Sequence, residues 1–269
     1  MHNANYFVKS PIKLHHGSIA YAEPECQCVL RGHPYVNMDM TMVSTLIALC
    51  LTATPQLQVR NQLTLEEKKQ GFQLLFDGKS LDQFRGWKQS TIPPMWKAVD
   101  GEIRLVPDPK QNSDIVTERE YADFDLRLDW KIEQGGNSGI FIRSDETKQM
   151  AWATGMEMQV LDNARHPDGK NVLTSAGSQY GMYAPIRDVS RPAGEWNQVR
   201  ILCKARQVAF WLNGVKVVSF VIGSPDWNNR KAVSKYKDLP EYGLHPSGRI
   251  VLQDHGNQVS YRNIRIRVL

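Results

Sequence analysis

The feature that most constrains the fold is a series of short segments in which apolar and polar residues alternate. The series comprises residues 125–132, 138–143, 198–203, 207–212, 215–221, 249–253 and 259–268. A period of two places successive side chains on opposite faces of a β-strand. Asn213-Gly214 favours a two-residue hairpin, and Gly135-Gly136-Asn137 is predicted to turn the first segment back into the second. We therefore predict an all-β fold, a two-layer antiparallel β-sandwich.

A short helix is predicted before this β-rich region. Thr64-Leu65-Glu66-Glu67 has the pattern of a capping box, and Gly71 is suited to close the helix. Residues 163–190 and 223–248 lack strand patterns and are predicted to be long loops over one face of the sandwich. Loops of this kind often carry binding function.

The first 54 residues differ from the rest of the chain. Residues 42–53 form an apolar run that is too short to span a bilayer comfortably but has the length of a signal-peptide core. We predict that residues 1–54 are an upstream segment and signal peptide, 55–70 a linker with the short helix, and 71–269 the folded domain. Cleavage would export the protein to the periplasm or the medium, with no membrane span. A buried helix over residues 42–53 is the alternative.

Charge and cysteine usage disfavour two kinds of function. The net charge of +5 arises from 33 basic and 28 acidic residues, and the basic ones are scattered. The densest group, Arg230, Lys231, Lys235 and Lys237, is too short for a nucleic-acid track, so nucleic-acid binding is not predicted. Cys203 is the only cysteine after residue 50, and its apolar neighbours predict a buried core residue rather than a nucleophile. The oligomeric state stays open.

Residues 156–161, with the sequence Met-Glu-Met-Gln-Val-Leu, combine a core face with a polar face. As a strand, this segment turns both methionines and the valine to one side, and Glu157 and Gln159 to the other. A long carboxylate beside a carboxamide is unusual on a strand that is otherwise suited to a core. Asp162 and His166 follow in the next turn. We therefore expect the chemistry of this protein near Glu157.

Several motifs together resemble the 3-keto-disaccharide hydrolase family, which has a concanavalin A-like jelly roll. Each motif is weak alone, but their order and spacing over residues 65–269 are specific. The motifs are GFQLLFDGKSL (71–81) with Trp87, GNSGI (136–140), the Glu157 strand with Asp162-Asn163, HPD (166–168), GEWN (194–197) and LQDHG (252–256). The resemblance implies a two-layer sandwich, export from a bacterial cell and action on sugars oxidised to a ketone at carbon 3.

Such a substrate implies proton abstraction followed by elimination. The ketone acidifies the hydrogen on carbon 2, and loss of the group at carbon 1 is then a β-elimination, which water can reverse to give net hydrolysis. This reaction needs a base, a stabiliser for the enolate oxygen and an acid for the leaving oxygen. Glu157 is the predicted base, Arg143 on the preceding strand the predicted enolate stabiliser, and His255 the predicted acid or base.

Other polar side chains are predicted to contact the substrate. Carboxamides both donate and accept hydrogen bonds, which suits sugar hydroxyls, and a loop aromatic ring can stack on a sugar. The predicted substrate-binding residues are Lys131, Gln159, Asp162, His166, Tyr180 and Gln253.

The sequence leaves simpler interpretations open. Glu157 and Arg143 could form a structural salt bridge on a solvated sheet face, and His166 and His255 could be turn residues. A non-catalytic carbohydrate-binding module would need the same residue types. A retaining glucanase would need Glu157 and Asp162 roughly 5–5.5 Å apart, which requires a bulge because residues five apart face opposite ways on a regular strand.

Oxygen-bearing side chains also raise the question of a metal. Asp162, Asn163 and Asp168 offer oxygen ligands of the kind calcium prefers, but their spacing matches no dense calcium loop. We predict neither a metal nor a cofactor.

Overall fold

The computed structural model describes residues 59–269; the predicted signal peptide at residues 1–54 lies outside them. The described part has two short 3-10 helices, Ala151–Ala153 and Pro167–Lys170. Its other elements are α1 (Leu65–Lys69), β1 (Gln73–Leu74), β2 (Phe84–Gly86), β3 (Trp96–Val99), β4 (Glu102–Leu105), β5 (Ile115–Thr117), β6 (Phe124–Ile132), β7 (Asn137–Ser144), β8 (Met156–Leu161), β9 (Asn197–Lys204), β10 (Gln207–Leu212), β11 (Val215–Val221), α2 (Pro225–Val233), β12 (Arg249–Leu252) and β13 (Val259–Val268).

The strands form two antiparallel sheets. The larger sheet has eight strands in the order β11-β10-β9-β6-β13-β4-β3, with β1 also paired to β13. The smaller sheet has five strands in the order β2-β5-β12-β7-β8. This architecture confirms the predicted two-layer antiparallel β-sandwich of the jelly-roll type with a short N-terminal helix. No helix within residues 59–269 is long and apolar enough to cross a membrane.

The core lies between the inner faces of the two sheets. Burial of each large apolar side chain there contributes roughly 1.5–3 kcal/mol of stability. Cys203 is fully buried, as predicted, and burial raises the pKa of its thiol to about 11. Alternate residues of β6 and β8 supply much of the core: Leu126, Leu128, Trp130, Met156, Met158 and Val160.

The turns confirm one expectation and correct another. β10 and β11 form the hairpin predicted at Asn213-Gly214, with Leu212 opposite Val215. The turn around Gly135, in contrast, does not connect a hairpin. β6 pairs with β9 and β13, whereas β7 pairs with β8 and β12, so this turn carries the chain from one sheet to the other. Alternation predicts both strands equally well but does not predict which strands pair.

The segment 223–248, predicted to be a loop, contains helix α2. Ser224 caps this helix by accepting the Trp227 N–H, and proline occupies its first turn. Three aromatic residues of the predicted loops, Trp227, Tyr183 and Tyr242, are buried. Their rings stack at centroid distances of 6.2 Å and 5.9 Å on either side of Trp227. All three rings belong to the main hydrophobic core, so these loops pack onto the sandwich.

Candidate active site

Glu157 lies on the face of β8 that points away from the core. It is opposite Phe141 of β7, and its neighbour Gln159 is opposite Gly139. All six residues of β8 are buried, and Glu157 is only 4% exposed. The loop that precedes β9 pairs with the edge of β8 through a backbone hydrogen bond from Gln159 N to Ser178 O at 3.1 Å. A solvated sheet face, the simpler interpretation, is therefore wrong.

Gly139 provides the space that the Glu157 carboxylate occupies. A Cβ atom at Gly139 would lie 2.5 Å from Glu157 Oε1 and 3.1 Å from Gln253 Oε1. Both polar groups thus lie directly above this glycine. Side chains other than glycine at residue 139 would displace them.

The polar atoms around Glu157 lack protein partners. Within residues 59–269, the Gln159 amide oxygen and nitrogen and Gln253 Oε1 are buried without a hydrogen bond. Tyr236 Oη is likewise buried and unpaired in the described part of the chain. Buried polar groups are almost always hydrogen-bonded in native proteins. A group of unpaired ones beside a carboxylate is the arrangement expected of a site for a polar ligand.

Burial determines the protonation of Glu157. Desolvation raises the pKa of its carboxyl group, and the carboxylates of Asp114 and Asp168 raise it further, to about 8. The ammonium of Lys235 opposes these effects and lowers the same pKa. A strongly shifted carboxyl group with specific charged neighbours is a mark of functional sites.

The cation that acts electrostatically on Glu157 is Lys235 rather than a residue of the sheet. Lys235 follows α2, and although the residue is exposed, its Nζ lies 3.9 Å from the ring centroid of Tyr180 and 5.1 Å from that of Tyr236. Partial burial lowers the pKa of this lysine. The sequence showed Lys235 only as one member of a short basic group, so its role was missed.

Arg143, the predicted enolate stabiliser, does not pair with Glu157. Its guanidinium donates to the Ala122 carbonyl at 2.8 Å and 3.0 Å and to Asp123 Oδ1 at 3.2 Å. Arg143 has a φ of 53°, and the pairing of β7 with β12 changes register at this level. This bulge interrupts the alternation on which the prediction rested. We therefore remove Arg143 from the candidate site.

Lys131 is also misassigned, because it belongs to the other sheet. It lies on β6, where its Nζ is 3.4 Å from Glu102 Oε1 and 4.6 Å from the ring centroid of Trp196. Its neighbours are those of the eight-stranded sheet, and it cannot contact a substrate at Glu157. The error follows from the same mistaken hairpin between β6 and β7.

Asp162 and His166 shape the turn after β8 instead of facing a substrate. The Asp162 oxygens accept the N–H groups of Gly135 at 2.7 Å and Ala164 at 3.1 Å. His166 Nδ1 accepts the Asp168 N–H at 3.1 Å and caps a 3-10 helix. Both predicted substrate contacts are therefore wrong, and the interpretation of His166 as a turn residue is confirmed.

Tyr180 does lie at the site, although not as a free stacking ring. Its hydroxyl donates to Asp168 Oδ2 at 3.1 Å, and the Lys235 ammonium lies over its ring, 3.9 Å from the centroid. Burial and the Asp168 carboxylate raise the pKa of Tyr180 to about 12. Tyr180 thus contacts both Asp168, which raises the pKa of Glu157, and Lys235, which lowers it.

An open cleft of about 620 Å³ extends over the same face of the five-stranded sheet. Gln253, the amide beside Glu157, lines this cleft, and so does the exposed His255. Trp152 is 38% exposed and gives one wall an accessible ring. The lining residues that matter here are Trp87, Ser113, Asp114, Trp152, Gln253 and His255.

The oxygen ligands considered for calcium do not converge. Asp162 is engaged by backbone N–H groups, and the Asn163 amide donates to Asp188 Oδ2 at 2.9 Å. Among residues 59–269, no group of three or more histidine, cysteine, aspartate or glutamate side chains is arranged to hold a metal ion.

Comparison with known sequences gives the family. Residues 71–267 match the sequence profile of the 3-keto-alpha-glucoside-1,2-lyase-like domain, which covers most of the chain. The chain belongs to this family. The resemblance drawn from the scattered motifs is confirmed.

Relatives with known names or structures agree with this assignment. A 3-keto-disaccharide hydrolase of Bacteroides thetaiotaomicron is 29% identical over 238 residues, which is 78% of this chain and 82% of the relative. A Parabacteroides distasonis protein assigned as a glycosyl hydrolase has 34% identity and a TM-score of 0.73, covering 78% of this chain and 100% of that one. A second from the same organism has 29% identity and a TM-score of 0.58, covering 74% and 99%. The chain is thus a carbohydrate-active enzyme of the glycosidase type.

Proposed function

We propose that this enzyme cleaves glycosides that carry a ketone at carbon 3, with Glu157 as the general base. The observation that carries the proposal is the buried Glu157 carboxylate, whose pKa is raised to about 8, beside unpaired amides and a lysine. A carboxylate with a raised pKa is a stronger base than an ordinary glutamate, and hydrogens next to a ketone are weakly acidic. The family and the name of the Bacteroides relative support the substrate class.

The proposed reaction balances as an elimination followed by addition of water. Glu157 takes the proton from carbon 2, and the electron pair of that bond moves onto the ketone oxygen as an enolate. The enolate collapses, a double bond forms between carbons 1 and 2, and the bond from carbon 1 to the leaving oxygen breaks. The leaving oxygen gains a proton. Addition of water across the double bond then yields net hydrolysis.

Several side chains support these steps. Lys235 takes the role first predicted for Arg143, because it is the cation beside Glu157 and can stabilise the enolate oxygen. The unpaired amides of Gln159 and Gln253 are suited to sugar hydroxyls. The rings of Trp87 and Trp152 in the cleft can stack on a sugar.

The two alternatives are less well supported. The retaining glucanase considered from the sequence would pair Glu157 with Asp162, yet the oxygens of Asp162 are bound by backbone N–H groups of the turn. A non-catalytic carbohydrate-binding module would gain nothing from burying a carboxyl group whose charge must then be compensated. Turnover therefore has to be measured directly.

The test compares 3-keto-trehalose with unoxidised trehalose. We expect only the keto form to be cleaved. The products would be glucose and a 3-keto sugar or its unsaturated derivative. Glu157→Gln is expected to lower kcat by at least about 100-fold, whereas Glu195→Gln, at an exposed glutamate, retains activity. Binding of the keto sugar without turnover would favour the binding module, and hydrolysis of plain β-glucan the glucanase. Full activity of Glu157→Gln would remove Glu157 from the mechanism.

We further propose export with cleavage of residues 1–54, on the basis of the apolar run at 42–53. N-terminal sequencing of the protein from periplasm and medium tests this. An exported product that still carries residues 42–53 would contradict it.

A further inference from the structure

A second carboxyl group, that of Asp114, lines the cleft together with Gln253. Asp114 immediately precedes β5, and β5, β12, β7 and β8 are consecutive neighbours in the five-stranded sheet. Ile115 is opposite Leu252, and Gln253 N donates to Gly139 O at 3.0 Å. The order across the sheet is therefore Asp114, Gln253, Gly139 and Gln159. Since the Glu157 carboxylate lies above Gly139, it faces Asp114 across the Gln253 amide.

The Asp254 carboxylate beside Asp114 disfavours the ionised form of Asp114. Asp114 Oδ1 accepts the Asp254 N–H at 2.8 Å, and its other oxygen has no partner within residues 59–269. The neighbouring Asp254 carboxylate accepts N–H groups from Ser113 at 3.1 Å and from Gly256 at 2.9 Å. These two backbone donors fix the Asp254 carboxyl group beside Asp114. A fixed anion beside a half-buried carboxyl group opposes ionisation of that group.

The pKa of Asp114 agrees with this geometry. Desolvation and the Asp254 carboxylate raise it to about 7, although the Asp254 N–H lowers it in part. Asp114 in turn raises the pKa of Glu157. The unpaired oxygen of Asp114 belongs to a residue that lines the cleft. With a pKa of about 7, part of the Asp114 population is protonated near neutral pH, and in that form it can donate a hydrogen bond to a substrate oxygen in the cleft.

We infer that Asp114 is the acid that protonates the leaving oxygen, and that the part of the cleft between Trp87 and Trp152 holds the leaving group. The inference rests on the proposed elimination. It replaces His255, first predicted as the acid: His255 is exposed at the cleft, where water competes for its proton, whereas Asp114 is half-buried.

The two carboxyl groups complete a balanced cycle. In the elimination, the O–H bond of Asp114 breaks and its proton passes to the leaving oxygen, while Glu157 gains the proton of carbon 2. In the addition of water, the Asp114 carboxylate removes a proton from the water that attacks carbon 1, and Glu157 returns its proton to carbon 2. Both groups end as they began, and no co-reactant beyond water is needed.

The test uses the dependence of the rate on the leaving group. An alkoxide, as in 3-keto-trehalose, must be protonated as it departs, whereas 4-nitrophenolate, from the 3-keto-glucoside of 4-nitrophenol, is stable without a proton. Asp114→Asn keeps the oxygen that accepts the Asp254 N–H, so the fold is expected to persist. We expect kcat/KM for 3-keto-trehalose to fall by at least about 100-fold, and kcat/KM for the nitrophenyl substrate to change by no more than a few fold.

Three further variants sharpen the result. Asp82→Asn, at an exposed aspartate, controls for loss of a carboxylate, and Glu157→Gln is expected to lose activity on both substrates. Equal losses on both substrates in Asp114→Asn, with an unchanged Tm, would overturn the inference. The inference would also be overturned if His255→Gln, rather than Asp114→Asn, lost activity on 3-keto-trehalose but not on the nitrophenyl substrate. A wild-type protein inactive on both keto substrates would overturn the proposed function itself, a result distinct from either of these.

Discussion

At the scale of single residues, the environment of Glu157 decides what its carboxylate can do. A solvated glutamate is a weak base, whereas burial raises the pKa of Glu157 to about 8 and makes its ionised form correspondingly more basic. Too large a rise would leave the group protonated under working conditions. Lys235, which lowers this pKa, keeps the ionised form accessible.

Removal of the lysine charge should therefore change the pH dependence of the reaction. In Lys235→Met, the pKa of Glu157 rises because the opposing cation is lost. We expect the ascending limb of kcat/KM against pH, measured on the 3-keto-glucoside of 4-nitrophenol, to move to higher pH by about one unit. The rate at the plateau should also fall, since the enolate loses its cation.

The matched variants separate charge from shape. Lys235→Arg keeps the cation and should leave the ascending limb of kcat/KM at its wild-type pH. Lys237→Met removes an exposed charge from the same segment and serves as the control. An unmoved limb in Lys235→Met would mean that the ammonium does not act on Glu157.

The residue scale also shows where prediction from sequence failed. Glu157, Gln159 and Gln253 were found because a polar side chain on a core-forming strand is visible in the alternation. Arg143 was misplaced because a bulge changes which face a residue occupies, and a bulge leaves no mark in hydrophobicity. Asp114 was missed because nothing local distinguishes it from an ordinary loop aspartate.

At the scale of elements, β7 makes room for the Glu157 carboxylate and the Gln253 amide without contributing a reactive side chain of its own. Its Gly139 leaves the space that the Glu157 carboxylate and the Gln253 amide share. Gly139 needs no left-handed backbone conformation, because its φ is not positive. Glycine is needed at residue 139 only because a side chain would not fit there. Adding a single methyl group therefore tests this role.

Gly139→Ala is expected to displace the Glu157 carboxylate, because the new methyl group would lie 2.5 Å from Glu157 Oε1. A displacement of about 1 Å at a reacting group can cost on the order of 100-fold in rate, so we expect a loss of that size in kcat with a stable fold. Steady-state kinetics and thermal unfolding measure the two effects. The double variant with Glu157→Gln should be no slower than Glu157→Gln alone; additive losses would show that Gly139 acts on something else.

At the scale of the whole molecule, two loops bury the face of the five-stranded sheet that carries Glu157. The segments 162–196 and 222–248 bring Tyr180 and Lys235 over β8, and the stacked Trp227 and Tyr242 fix the second segment to the sandwich. Burial of Glu157 under these loops links its ionisation to global folding.

The stability of the wild-type protein should consequently fall as pH rises from 4.5 to about 8. In that window the unfolded chain releases the Glu157 proton while the folded protein retains it, so the unfolded state binds fewer protons and is favoured by rising pH. At about 1.4 kcal/mol per pKa unit, the loss is up to roughly 5 kcal/mol. Urea unfolding at about pH 5 and about pH 8.5 measures it.

Glu157→Gln cannot ionise, so its stability should change less with pH than that of the wild type. Glu195→Gln, at an exposed site, should follow the wild type. Parallel stability profiles in wild type and Glu157→Gln would contradict a raised pKa in the folded state.

The sequence by itself determined the strands, the helix cap at Thr64, the hairpin at Asn213-Gly214 and the central glutamate. These are local properties: periodicity, turn chemistry and the residue type at one position. The tertiary structure alone decided that β6 and β7 belong to different sheets, that Lys235 rather than Arg143 approaches Glu157, and that Asp114 faces it. Such contacts join residues far apart in the chain, and they depend on strand pairing and loop packing, which no local pattern encodes.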